Sequence, residues 1–331
     1  VRPDVQRWLD RRFSSAADWT AARVLADKRG RTVSVVLPAL DEQETVGPIV
    51  ATIRTELMGG DHPVVDELVV MDSGSTDATA AVAAAAGARV VHRDDVLPRI
   101  AARPGKGEVM WRSLAATRGD VVVFVDADLR GFTSSYVLGL VGPLLADASV
   151  GLVKAVYDRP LRDGSSVLPA GGGRVTELLA RPLVNLHWPE LAGVVQPLAG
   201  ECAARRDLLE QVTFPTGYGI ELALLVDALE LLGLDGIAQV DLGERRHRHQ
   251  DDARLGRMAS EILQVAQSRL VRQGRLRASS GVNPTLTQFT RGPAAAGEPA
   301  FTATTHDVEL VERPPMAQQP EYAAARAARA S

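Results

Sequence analysis

Asp120-Val-Val-Val-Phe-Val-Asp-Ala-Asp128 is a short apolar run that ends in two carboxylates. Its β-branched and aromatic residues do not alternate with polar ones, so it reads as a strand buried on both faces, as in a parallel sheet covered by helices. Ligands of such sheets bind beyond the carboxyl ends of the strands, where Asp126 to Asp128 lie. At i and i+2 in extended chain the two carboxylates point the same way, as needed to hold a hard divalent cation against a diphosphate. A bare D-x-D is more often a solvated acidic turn. The buried strand in front of this one reverses that preference.

Working outward, Val33-Ser-Val-Val-Leu-Pro38 is a second strand, followed by Asp41-Glu-Gln-Glu44, a capping-box-like start to a helix reaching about Leu57. Glu67-Leu-Val-Val-Met71 is a third strand. It runs into the turn Asp72-Ser-Gly-Ser-Thr-Asp77 and an Ala-rich helix that Gly87 stops. Residues 88–92 form a short strand, and the basic loop Arg103-Pro-Gly-Lys-Gly107 leads into a helix ending near Thr117. Downstream come the glycine run 171–173, helical patterns over 175–186, 220–232 and 257–273, and a last strand, Ile237-Ala-Gln-Val-Asp-Leu242. Strands alternating with helices predict an α/β fold, a mostly parallel Rossmann-like sheet with helices on both faces and right-handed crossovers. Residues 1–30 read as an N-terminal helical extension. Residues 279–331, rich in Pro, Ala, Gly and Thr with weak periodicity, read as a loosely ordered C-terminal tail.

The bulk numbers limit the partners. A formal net charge of -4 gives no electrostatic reason to expect nucleic acid or an anionic membrane. No segment approaches the ~18–20 apolar residues of a membrane span, and the Arg- and Asp-studded N-terminus lacks a signal-peptide core. The single cysteine, Cys202, excludes an intramolecular disulfide and a Cys-rich zinc site, fits a reducing cytoplasm, and is expected to serve in packing.

Other residues carry candidate chemistry. Asp72, beyond a parallel strand, is placed to accept hydrogen bonds from a nucleotide base or ribose, although turn chemistry explains 72–77 nearly as well, and Ser75 reads as a simple helix cap. Lys106 sits between two glycines at a helix start, where an ammonium meets phosphate, yet no P-loop pattern is present and a surface lysine is the default. Arg174 and Thr176 follow Gly173 at another helix start, a second anion site or a mobile loop with a solvent-facing arginine. One of His247 and His249 could complete a metal site opened by the D-x-D, and imidazole suits Mn²⁺-like ions better than Mg²⁺. Glu221, at a helix start, is a sugar-hydroxyl acceptor or an acid favoured by the helix dipole.

Taken in order, Val35-Val-Leu-Pro-Ala-Leu-Asp-Glu42, Asp72-Ser-Gly-Ser-Thr-Asp77, Arg103-Pro-Gly-Lys-Gly-Glu108, Asp126-Ala-Asp128 and Gly171-Gly-Gly-Arg-Val-Thr-Glu177 resemble the actinobacterial glucosyl-3-phosphoglycerate synthase family over residues 30–275. The resemblance implies a GT-A fold with a nucleotide-sugar-binding half (31–130) and an acceptor-binding, metal-completing half (131–278). It implies transfer of glucose from UDP-glucose to the 2-hydroxyl of 3-phosphoglycerate with retention, a Mg²⁺ or Mn²⁺ cofactor, and a homodimer. Pro38, Ala39, Leu40, Glu42 and Ser73 would hold uridine with Lys106 nearby. Asp128 and His247 would bind metal, Asp126 would contact the donor, and Leu198 and Glu221 would line the glucose site. Gly173, Arg174 and Thr176 would hold phosphoglycerate. The implied catalytic set is Asp126, Lys106, Glu221 and Leu198. Two positions depart from the pattern: His249, near the acceptor, stands where asparagine is expected, and Ala127 where serine is expected.

Rival readings remain at this level. A mannosyl-3-phosphoglycerate synthase shares the motifs and would use GDP-mannose. A nucleotidyltransferase also pairs a phosphate loop with acidic metal ligands, and a nucleotide-sugar-binding protein needs no turnover. A Rossmann dehydrogenase is disfavoured, because Leu37-Pro-Ala-Leu-Asp41 replaces the glycine fingerprint such enzymes need.

Overall fold

The computed structural model describes residues 2–158, 161–163, 166–168, 173–245, 251–277, 283–292 and 301–330. The central sheet is built from Phe13–Ser15 (β1), Val33–Ala39 (β2), Glu67–Asp72 (β3), Arg89–His92 (β4), Val121–Phe124 (β5), Leu152–Asp158 (β6), Cys202–Arg205 (β7) and Ile237–Glu244 (β8). In space they run β1-β8-β6-β7-β5-β2-β3-β4. All pairings are parallel except those of β7, which runs antiparallel between β5 and β6. This is the expected α/β architecture. The sheet is continuous across residue 130, so the two halves read from the sequence share one hydrogen-bonded surface.

Both faces of the sheet are covered, which is why its strands read as unbroken apolar runs. Val35 and Leu37 of β2, with Val121 and Val123 of β5, point into one core. Val36, Val122 and Phe124 point into the other. Truncating Phe124 to alanine in such packing costs about 3–5 kcal/mol.

The helices are Pro3–Arg12 (α1), Ala21–Lys28 (α2), Val46–Leu57 (α3), Thr79–Ala85 (α4), Lys106–Ala116 (α5), Ser135–Ala146 (α6), Arg181–His187 (α7), Arg206–Gln211 (α8), Ile220–Leu232 (α9), Asp252–Arg272 (α10) and Pro320–Ala330 (α11). A π-helical turn, Thr176–Ala180, precedes α7. The N-terminal extension is not helical throughout. Its β1 forms one edge of the sheet against β8, and the buried Trp8 indole donates to the Ile237 carbonyl at 2.8 Å. Residues 41–44 do not cap α3, which starts at Val46 without a side-chain cap. Instead Asp41, at φ 56, accepts from the Thr76 amide at 2.7 Å and so ties the loop after β2 to the loop after β3.

The expectation of a loosely held tail over 279–331 is corrected for residues 283–292 and 301–330; 279–282, 293–300 and 331 lie outside the described residues. Thr285–Arg291 and Phe301–Asp307 pair as an antiparallel hairpin, and Glu312–Arg313 pairs with Phe214–Pro215. Val308, Met316 and Tyr322 are buried. Arg313 donates to both oxygens of the fully buried Glu108 at 2.6 and 2.9 Å, and Trp111 Nε1 donates to the Pro314 carbonyl at 2.9 Å. These anchors are isolated residues spaced without a helix or strand period, so periodicity could not reveal them.

Candidate active site

The carboxyl ends of β2, β3 and β5 open into a cleft of about 950 Å³. Its walls bring together most of the residues singled out from the sequence. Pro38, Ala39, Leu40 and Glu42 come from the end of β2 and the loop beyond it, Ser73 follows β3, Lys106 starts α5, and Asp126 and Asp128 follow β5. Gly173, Arg174, Thr176, Leu198 and Glu221 complete the set from the second half of the chain. His247 and His249 lie outside the described residues.

Lys106 sits at the centre of the acidic floor. Its ammonium lies 2.5 Å from Asp126 Oδ1 and 3.3 Å from Glu221 Oε1, and donates to the Gly200 carbonyl at 3.3 Å. Glycine at 200 is a packing requirement, because a Cβ there would stand 2.4 Å from Asp126 Oδ2 and 2.6 Å from Lys106 Nζ. Burial works against the ammonium, but Asp126, Glu221 and Glu201 outweigh it and raise the Lys106 pKa. Burial would likewise raise the Asp126 pKa. Lys106 and Arg245 overcome it and hold that carboxyl well below the usual range. Both groups are therefore charged near neutral pH.

The glycines around Lys106 serve approach rather than flexibility. At Gly107 a Cβ would lie 1.8 Å from the Pro215 carbonyl oxygen, and at Gly105, φ 113, one would lie 2.3 Å from that of Thr216. The start of α5 thus presses on the 215–217 loop, and the Glu108 amide is used on the Thr216 carbonyl at 3.1 Å. That amide is therefore already used within the protein.

Asp72 is not among the residues that line the cleft. It is buried outside the cleft walls, and its carboxylate accepts from the Gly74 and Ser75 amides at 3.2–3.3 Å and from the Ser75 hydroxyl at 2.5 Å. An aspartate closing its own turn explains the position. Ser75 is not a helix cap either, since α4 begins at Thr79 behind Ala78. Arg174, on the opposite wall, pairs with the exposed Asp252.

Sequence reasoning missed Arg245. At the end of β8 its guanidinium reaches Asp126 Oδ2 at 2.9 Å and Asp128 Oδ1 at 3.1 Å, and its other side reaches the Tyr157 hydroxyl at 2.8 Å and Glu201 Oε2 at 3.2 Å. Burial opposes its charge, yet Glu201, Tyr157 and the two aspartates raise its pKa. A basic residue directly after an apolar strand was the available signal, diluted by the arginines that follow it. Tyr218, Arg254 and Glu261 also line the cleft, as does the stretch 307–311 of the C-terminal segment. Nothing in their spacing pointed there.

The acidic pair has the donor chemistry for a metal. Asp128 follows a buried strand, faces the cleft, and is about a third exposed, with one oxygen shared with Arg245. Such a carboxylate suits a hard cation that takes further oxygens from a diphosphate and water. Among the described residues no group of three or more His, Cys, Asp and Glu is arranged to hold a metal by itself. Also among them, no helix is long and apolar enough to cross a membrane.

A mostly parallel sheet whose strand ends carry an acidic pair bridged by Arg245, with Lys106 on Asp126, fits a nucleotide-sugar-dependent transferase, and residues 34–211 match the family model for glycosyl transferase family 2. The chain is 50% identical over 313 residues to the glucosyl-3-phosphoglycerate synthase of Mycolicibacterium paratuberculosis, covering 93% of this chain and 91% of that protein. It is 42% identical to the Petrotoga mobilis enzyme of the same name, with 90% of each covered. A crystal structure of the Mycobacterium tuberculosis glucosyl-3-phosphoglycerate synthase with Mn²⁺, UDP-glucose and phosphoglyceric acid superposes with a TM-score of 0.77 at 47% identity, covering 90% of this chain and 94% of that one. The chain belongs to the family 2 glycosyltransferases and, within them, to the glucosyl-3-phosphoglycerate synthases.

Proposed function

We propose that the protein transfers glucose from UDP-glucose to the 2-hydroxyl of 3-phosphoglycerate with retention at the anomeric carbon. The observation that carries this reading is that one cleft brings together Leu40 and Ser73, Lys106, Asp126 and Asp128, and Gly173 to Thr176. Pro38, Ala39, Leu40, Glu42 and Ser73 would receive the uridine, and Leu40, more than half exposed at the rim, offers the base an apolar surface. Leu198 and Glu221 would face the glucose. Gly173, Arg174 and Thr176 would take the phosphoglycerate, the guanidinium forking onto its oxygens.

Asp128, with His247, would hold Mg²⁺ or Mn²⁺, which when bound neutralises charge on the diphosphate. Lys106 adds a fixed positive charge beside the departing phosphate, and Asp126 keeps that ammonium in place. The residues thus work by positioning and electrostatics rather than through a protein nucleophile. A homodimer in the cytoplasm fits the same reading.

A product assay tests it. Purified protein with UDP-glucose or GDP-mannose, 3-phosphoglycerate and Mg²⁺ or Mn²⁺ should release UDP and glucosyl-3-phosphoglycerate. Preference for GDP-mannose, pyrophosphate release from a nucleoside triphosphate, or donor binding without turnover would each replace the proposal with a rival.

A further inference from the structure

Beneath the cleft floor lies a charge with no role in the account above. Lys154, on β6, is completely buried, opposite Cys202 in the register with β7. Its ammonium donates to the Ala199 carbonyl at 2.5 Å. Burial lowers the Lys154 pKa and Lys106 reinforces this, against Cys202, Glu221 and Glu201. A buried ammonium is costly, and a fold that needed only volume here would gain from an apolar side chain.

The carbonyl it holds explains the cost. The segment Gln196-Pro-Leu-Ala-Gly-Glu201 crosses the cleft without regular structure until β7, and two successive carbonyls are each held by a lysine. Lys154, on β6, takes the Ala199 carbonyl, and Lys106, at the start of α5, takes that of Gly200. The Ala199 amide also donates to the Gln196 carbonyl at 3.1 Å, closing a tight turn around Leu198, which lines the cleft. With Ala199 and Gly200 fixed, the direction of the Leu198 backbone and side chain is fixed as well.

We propose that Lys154 is a positioning residue for glycosyl transfer: by holding the Ala199 carbonyl it sets the Leu198–Gly200 backbone against the sugar of the bound donor. The inference rests on the placement of glucose at Leu198 given above. Its signature separates positioning from stability. Lys154→Met keeps the stem and removes both the costly buried ammonium and the donor to the Ala199 carbonyl, two opposing effects on stability, so the melting temperature should shift little while kcat falls on the order of 10- to 100-fold, the cost of a misplacement near 1 Å.

The test measures kcat, KM for UDP-glucose, melting temperature, and calorimetric affinities for UDP and UDP-glucose, for wild type, Lys154→Met and Lys154→Gln. Expected are an unchanged UDP affinity, a loss confined to kcat and the glucose-dependent part of binding, and partial recovery in Lys154→Gln, which keeps an N–H donor. Wild-type kcat in Lys154→Met overturns the proposal. So does a melting temperature and UDP affinity that fall together with kcat in both variants, which marks a purely structural lysine. Failure of the underlying reading looks different: the wild type itself would not turn over UDP-glucose.

Discussion

Replacing Lys106 with methionine removes the cation from between two carboxylates while keeping the length of the stem. In the native cleft that ammonium is 2.5 Å from Asp126 and 3.3 Å from Glu221, and Asp126 has a second partner in Arg245 at 2.9 Å. The variant therefore leaves Asp126 paired and deprives Glu221 of the cation the structure places beside it. The stability cost is chiefly that of the charge-assisted hydrogen bond to Asp126, about 1.5–3 kcal/mol, or roughly 2–4 °C in melting temperature for a chain of this size. The catalytic cost is set by a different quantity, the charge that develops on the departing diphosphate. Loss of one preorganised group of this kind costs about 3–4 kcal/mol, or 10²–10³ in kcat. Continuous UDP-release kinetics with UDP-glucose varied at saturating 3-phosphoglycerate, alongside thermal unfolding, separates the two. A variant that melts lower yet keeps kcat/KM within tenfold of wild type would show that Lys106 only braces Asp126, and would refute its assignment to the leaving group.

Arg174→Ala should raise the apparent constant for 3-phosphoglycerate roughly 30-fold or more with donor binding unchanged, since it removes a charged partner of the acceptor; its pair with exposed Asp252 adds little stability. A loss of UDP-glucose affinity in calorimetry would place this arginine on the wrong substrate. Chelation should abolish turnover and Mg²⁺ or Mn²⁺ restore it, while Asp128→Ala should weaken metal-dependent donor binding with melting unaltered. Full activity in excess chelator would contradict both. Because the folded-state pKa of Lys106 is raised, its contribution to stability is complete below the unfolded value of about 10.4 and disappears only at still higher pH. The difference in unfolding free energy between wild type and Lys106→Met should thus stay flat from pH 7 to about pH 10, and a decline beginning at pH 8 would argue against it. Arg313→Ala leaves Glu108 buried with Arg112 but without its two-point partner, and should cost about 3 kcal/mol in urea unfolding; a cost under about 0.5 kcal/mol would show that the C-terminal segment is not braced there.

The parts of this molecule legible in its sequence are those written in consecutive residues. Three apolar runs, each followed by a polar cluster, gave the parallel sheet and the cleft at its strand ends, because burial on both faces leaves no other composition available to β2, β3 and β5. Asp72 shows the limit of that logic. A carboxylate at a strand end satisfies the same pattern whether it faces a ligand or its own turn, and here the Ser75 hydroxyl and the Gly74 and Ser75 amides bond to it. Arg245 and Lys154 were hidden for a related reason: each acts through a partner far away in sequence, Arg245 on Asp126 and Lys154 on Ala199. The C-terminal segment extends the point from single residues to an element. Its composition is that of a tail, yet Arg313 reaches Glu108, in the first turn of the helix that Lys106 begins, while residues 307–311 form part of the cleft wall. Segments with weak local preference take their structure from what they bind, and here the surface bound is the back of α5. The helix that presents Lys106 is therefore fixed from three directions, by the Thr216 carbonyl at its first turn, by Asp126 at its lysine, and by Arg313 behind it. The cationic centre of the cleft and the apparently disposable end of the chain belong to one mechanical unit.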